Sequence, residues 1–144
     1  MIDLKTAPFA ALLLRLALGT LFVAHALLKL VVFTPAGTAG FFESLGLPGA
    51  LAWPTIVVEL LGGLALLAGY RTRLVALALV PVLAGAIAFA HAGNGWLFTN
   101  EGGGWEFPAL WLVGLGAQAL LGDGALALQR PTRRRSDSGG LATA

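Results

Sequence analysis

The chain has 144 residues, 58% of them hydrophobic and 11% charged, with a formal net charge of +2 and a mean hydropathy of +0.86. A soluble domain carries about 25% charged residues, so an ordinary soluble fold is excluded and an integral membrane protein of one domain, with no nucleic-acid partner, is expected. There is no cysteine, which excludes disulfides, thiolate metal ligands, c-type haem attachment and persulfide chemistry on this chain.

Residues 1–7 form a short polar entry with Asp3 and Lys5, and Pro8 suits a first helical turn. The first apolar segment, residues 8–33, is almost unbroken, interrupted by the ionisable residues Arg15, His25 and Lys29. A signal peptide is the rival reading, since Ala24-His25-Ala26 resembles a cleavage site. An arginine inside the apolar region and the apolar sequence beyond it both fit a retained span better. At helical spacing Arg15, Phe22, His25 and Lys29 share a sector of about 90°, which should face the protein interior.

Residues 34–50 are too long for a turn and too apolar for a solvated loop. A short interfacial helix or re-entrant segment is expected near Phe41-Phe42-Glu43-Ser44-Leu45. The second span is expected over 51–69, with Glu59 inside it and Gly62-Gly63 one turn later, where another backbone can approach closely. The third is expected over 74–92, kinked at Pro81 and ending at His91. A glycine-rich loop follows, and the fourth span runs over 105–122, opening with Trp105, Glu106 and Pro108. These spans make up a membrane domain of residues 1–128. Residues 129–144, with Arg130, Arg133, Arg134 and Arg135, read as a disordered basic tail against anionic headgroups.

Sidedness follows from charge. Lys5, Arg71, Arg73 and the arginine tail fall on one side of a four-span bundle, whereas the two long loops carry Glu43 and Glu101 and no basic residue. The positive-inside rule then puts both termini in the cytoplasm. Trp53, Trp96, Trp105 and Trp111 gather in the outer half, as an aromatic belt would. The expected fold is thus an all-α membrane protein, a left-handed four-transmembrane-helix bundle.

Helical rise places His25, Lys29, His91 and Glu106 towards the outer ends of their spans, Glu59 about a dozen Å below the outer surface, and Arg15 slightly to the cytoplasmic side of the middle. A polar chamber in the outer half is therefore expected. Ionisable groups deep in a membrane are functional by default, which singles out Glu59 and His25 as a proton-exchanging pair. Arg15, Phe22, Lys29, His91, Trp105 and Glu106 are the candidate pocket residues. The bland alternatives are an Arg15–Glu59 ion pair of purely structural use, Lys29 snorkelling to the interface, and His91 and Glu106 as loop-end residues.

Arg15, Gly19, Phe22, His25 and Lys29, then Phe41-Phe42 and Gly46-Leu47-Pro48, then Glu59-Leu60-Leu61-Gly62-Gly63 and Gly69-Tyr70-Arg71-Thr72-Arg73, form an ordered series. With His91, Gly103-Gly104-Trp105-Glu106 and Gly122-Asp123-Gly124, it resembles the DoxX family of small four-span bacterial and archaeal membrane proteins over about residues 8–128. Ala26 departs from the glycine expected after the histidine, which bears on packing. The resemblance implies the four-span fold and a place in a bacterial or archaeal cytoplasmic membrane. It also implies kinship with subunits of quinol oxidase and thiosulfate:quinone oxidoreductase and with proteins associated with oxidative-stress tolerance.

Three functions are compatible with these residues. The first is a quinone-linked redox subunit: a quinone head needs hydrogen-bond partners for two carbonyls and a proton source in an apolar pocket, supplied by His25 with Glu59 or by His91 with Glu106. Electrons would come from a partner redox protein or a bound cofactor. A haem b held between His25 and His91 is a variant. A divalent metal among His25, His91, Glu59 and Glu106 is allowed by ligand type but has no diagnostic spacing, so no metal site is expected. The second function is a non-enzymatic scaffold or partner subunit, and the third a small lipid or solute carrier. The small-residue faces around Gly62-Gly63 and Gly114-Leu115-Gly116 suit either a homodimer or packing inside one bundle.

Overall fold

The computed structural model describes residues 3–129; apart from Gln129, the expected basic tail lies outside the described residues. Those residues are all-helical, with 76% helix and no strand. Helix α1 (Ala7–Leu27) has Pro8 in its first turn, where a missing N–H costs nothing. It runs on into a wider π-helical turn, Leu28–Val32. Helix α2 (Thr34–Ser44) follows directly, its start capped by the Gly37 N–H donating to Thr34 Oγ1 at 3.2 Å. The short helix expected near residues 41–45 thus reaches back to Thr34, because Thr34 and Pro35 supply a start that apolar patterning alone does not show.

Helix α3 (Ala52–Ala68) is entered through a 3-10 turn, Gly49–Leu51. It ends at Gly69, whose φ of 71° allows the two bonds of a Schellman motif: Tyr70 N–H to the Ala65 carbonyl at 2.9 Å and Gly69 N–H to that of Leu66 at 3.1 Å. After this tight turn α4 (Thr72–Gly85) continues through Pro81 and passes into a second π-helical turn, Ala86–His91. Helix α5 (Glu106–Leu121) has 16 residues, about 24 Å, whereas α1, α3 and α4 are each lengthened by an adjoining π-helical or 3-10 turn. Three helical stretches, Ala7–Val32, Gly49–Ala68 and Thr72–Asn94, are long and apolar enough to cross a membrane. Helix α5 falls short of the roughly 30 Å hydrocarbon thickness.

The four bundle helices form a ring in which α1 packs most extensively on α3 and α4 on α5, with α3–α4 and α1–α5 closing it. The α1–α3 contact is backbone against backbone. A Cβ at Gly19 would lie 2.8 Å from the Gly63 carbonyl oxygen, and one at Gly63 would lie 2.9 Å from that of Gly19. Small residues are what allow such an approach where lipid supplies no hydrophobic drive between helices. The interior is filled by Leu18, Phe22, Leu66, Ala76, Leu79, Leu83, Trp111 and Leu115. The outward faces carry Leu13, Leu61, Leu74, Leu110, Val113 and Leu120, each more than half exposed, as a surface meeting lipid requires.

The bundle has two distinct ends. The loop end carries the π turns, α2 and residues 95–105. The Arg71 end carries the α3–α4 turn, the start of α1 and residues 122–129, which fold back as a strap. The strap is stitched down by the Ala125 N–H to the Pro8 carbonyl at 2.8 Å and the Leu128 N–H to that of Ala68 at 3.0 Å.

Candidate functional site

At the loop end Lys29, in the π turn that follows α1, reaches across to Glu59 on α3, its Nζ donating to both carboxylate oxygens at 2.8 and 3.0 Å. The Glu59 side chain is 6% exposed and that of Lys29 18%. Glu59 therefore pairs with Lys29 and not with Arg15, and Lys29 is drawn inward instead of snorkelling. Thr38 on α2 is buried over this corner, its hydroxyl donating to the Thr34 carbonyl at 2.9 Å.

One helical turn before Lys29 stands His25. Its Nδ1 lies 2.9 Å from the Leu21 carbonyl, which can only accept, so Nδ1 carries a proton, and in that tautomer Nε2 has a lone pair with which to accept. The ring lies against Trp111 of α5, centroids 4.9 Å apart, and Trp111 also meets Phe22 at 4.5 Å and Phe107 at 6.0 Å. The indole Nε1–H of Trp111 is buried and has no partner among the described residues. Patterning assigns Trp111 to an interfacial belt, yet it is 6% exposed and stands inside the bundle. Its position eight residues after Gly103 gives no sign of this. The one available signal is that Phe107, Trp111 and Leu115 recur at four-residue spacing, one stripe of a helix.

His91 and Glu106 serve the glycine-rich loop. His91 Nδ1 donates to the Gly103 carbonyl at 2.9 Å, and the Phe98 N–H donates to Glu106 Oε1 at 2.8 Å. Asn94 adds three bonds from Nδ2, to the carbonyls of Ala90, Gly102 and Gly103. Trp105 packs edge-on to Trp96 with centroids 4.5 Å apart. Trp105 and Glu106 also border a groove of about 790 Å³ with Trp96, Phe98, Phe107, Ala109, Leu110 and Val113, an almost wholly apolar lining on the outer flank of α5. The expected single polar chamber is thus resolved into two groupings: Lys29–Glu59 with His25, Phe22 and Trp111, and a loop clasp of His91, Trp105 and Glu106.

Arg15 belongs to neither. It is buried at the Arg71 end, where Nη2 donates to the Ala125 carbonyl of the strap at 3.1 Å. A Cβ at Gly69 would overlap its guanidinium, so the glycine that ends α3 also makes room for this side chain. The reason for the separation is register. Gly19 faces Gly63 across antiparallel helices, so residues whose numbers add to about 82 lie level. Glu59 is then level with about residue 23, Lys29 about 9 Å away towards the loop end, and Arg15 about 12 Å away in the opposite direction.

Chemically, the first grouping offers a buried charge pair, an imidazole nitrogen able to accept and an indole N–H able to donate, neither with a partner among the described residues, all beside aromatic surface. Such a set can bind a flat ring bearing a carbonyl or hydroxyl oxygen and can hold or pass a proton. No three His, Cys, Asp or Glu side chains come together as a metal-holding group among the described residues.

A family model described as DoxX matches residues 10–92, which takes in Arg15, His25, Lys29, Glu59 and His91. A Bacillus subtilis (strain 168) protein named "Putative oxidoreductase CatD" is 37% identical over 83 residues, 58% of this chain and 60% of the relative. The chain therefore matches somewhat less than two thirds of that protein's length. No solved structure matches the chain at a significant level.

Proposed function

Since the chain belongs to the DoxX family, we propose that it is the membrane subunit of an oxidoreductase, binding a quinone head at the His25–Trp111 corner beside the Lys29–Glu59 pair. The observation that carries this reading is the buried, unpartnered Trp111 N–H lying against a histidine whose Nε2 is an acceptor. A buried polar group left without a partner costs about 1–3 kcal/mol, and a carbonyl oxygen would remove that cost. Donor and acceptor side by side suit both redox forms: the indole N–H donates to a carbonyl or hydroxyl oxygen, and His25 accepts from a hydroxyl. When bound, a quinone supplies a two-electron, two-proton couple, with its electrons exchanged with a partner redox protein. The part of this chain is to bind and orient the ring, to exclude water with Phe22 and Phe107, and to hold protons at His25 Nε2 and the Glu59 carboxylate. The oxidoreductase name of the Bacillus subtilis relative supports the same class of activity.

In this reading all four bundle helices cross a prokaryotic cytoplasmic membrane with both termini inside, α5 completing its crossing through the adjoining loop. Lys5, Arg71 and Arg73 at one end and Glu43 and Glu101 at the other support that sense. A scaffold role would need the Lys29–Glu59 pair but has no use for the free indole and imidazole groups.

The test is quinone binding to the purified protein in nanodiscs, followed by calorimetric titration, a readout that does not depend on Trp111 as a fluorophore. Trp111→Phe keeps an aromatic face and removes the N–H, and should weaken binding about tenfold, the worth of one buried hydrogen bond. His25→Ala should weaken it further. Binding unchanged in both variants would remove the site.

A further inference from the structure

The Arg71 end holds a second buried polar group with different chemistry. Arg15 is 1% exposed, and beyond its bond to the Ala125 carbonyl its Nε and Nη1 have no partner among the described residues. Thr72 Oγ1 and Gln118 Oε1 are buried and equally unpartnered, on residues that are 0% exposed. All three side chains belong to residues tied to the same strap. Asp123 Oδ1 accepts the Thr72 N–H at 3.1 Å, Gln118 Nε2 donates to the Gly122 carbonyl at 2.8 Å, and Ala125 takes the arginine. Above them the interior is closed by Leu18, Leu66 and Leu115.

The types of the four orphaned atoms decide what they can bind. Two are guanidinium nitrogens that only donate, one is a hydroxyl that does both, and one is an amide oxygen that only accepts. An anion would leave the Gln118 oxygen unmet and would stand near the Asp123 carboxylate. A cation would face Arg15. A small neutral molecule that both donates and accepts matches the chemistry of all four, and buried water typically makes about three bonds to polar groups of this kind. We propose that Arg15, Thr72 and Gln118 form a buried water-binding site at the Arg71 end, closed over by the strap of residues 122–129. The site hydrates the Arg15 charge inside an apolar bundle and fastens the strap through shared water as well as through its direct bonds. The apolar layer above it separates this water from the Lys29–Glu59 corner.

The chain has no cysteine, so a Thr72→Cys variant carries a single thiol whose S–H infrared band stands alone. In the full-length protein moved into deuterated buffer, that band should convert to S–D at least about tenfold faster than the band of a Leu79→Cys control in the dry core. Equal, slow exchange at both positions would overturn the proposal. Thermal unfolding gives an independent reading that needs no thiol. If the site is hydrated, Thr72→Val strips water of a partner without removing any direct side-chain bond, and should lower the midpoint by about 3–5 °C. If the cluster is dry, the same substitution relieves an unmet polar group, and a raised midpoint would overturn the proposal.

Discussion

The two ends of the bundle bury polar groups in opposite ways. At the loop end, opposite charges meet directly: Lys29 and Glu59 satisfy one another through two bonds. At the Arg71 end a single guanidinium meets a backbone carbonyl, with Asp123 engaged on the N-terminus of α4. The difference shows that burial of charge takes no single form in this protein. The loop-end pair is closed and depends on both partners, while the Arg71-end cluster is open-handed, with donors and acceptors in excess of their protein partners. Between them lies an apolar layer of Leu18, Leu66, Leu79 and Leu115. Under the proposed function, protons held at His25 and Glu59 therefore exchange with the loop end and not through the Arg15 cluster.

The comparison is broken most severely by removing one member of the closed pair. Lys29→Met leaves Glu59 buried and uncompensated, which should cost about 3–5 kcal/mol. The double variant Lys29→Met, Glu59→Met removes both charges and should regain most of that loss. Chemical denaturation in detergent of both single variants and the double variant measures the coupling. Additive losses would mean that the pair is not a unit.

A second way to break it is through register. Gly63→Val places side-chain atoms where the Gly19 carbonyl and Val23 already stand, each 2.9 Å from the Cβ position. Overpacking of this kind costs about 1–3 kcal/mol. Because this contact sets which residues of α1 and α3 lie level, the variant should also weaken the Lys29–Glu59 bond. The readout is the Lys29–Glu59 coupling energy repeated in the Gly63→Val background, which should shrink. An unchanged coupling would show that the pair holds its own register.

These two cases mark how far the residues alone reach. The helical character, the apolar segments and the inward face of Arg15, Phe22, His25 and Lys29 are legible because a 3.6-residue period and long apolar runs are properties of one segment at a time. The partner of Glu59 is not legible in that way. It depends on how far α1 slides along α3, which Gly19 and Gly63 fix only once they are seen to face each other, and on a π turn that re-aims Lys29. Depth counted from helix ends puts Lys29 in the outer chamber with Glu59 but leaves an Arg15–Glu59 pair open as the structural alternative, and the structure uses Lys29. Trp111 was hidden for a related reason. Tryptophan near a span end signals an interface by frequency, and only the packing of α5 against α1 turns it inward onto His25. The roles of His91 and Glu106 were closer to hand, since loop-end duty was the plain alternative for both.

The smallest effect separates the loop clasp from the site itself. Glu106→Gln keeps an oxygen for the Phe98 N–H but weakens a charge-assisted bond, at about 1 kcal/mol or less. His91→Ala removes one bond to the Gly103 carbonyl at a similar cost. Neither residue touches His25, Lys29 or Glu59 through any hydrogen bond among the described residues. Both variants should therefore loosen residues 95–105, seen as faster amide exchange there, while quinone binding in nanodiscs stays within about twofold of the parent, the scatter expected of sites that do not share partners. A large loss of binding in either variant would rejoin the clasp to the site. The groove beside Trp105 and Phe107, which reaches Trp111 through an aromatic contact of 6.0 Å, would then have to be counted as part of the binding surface.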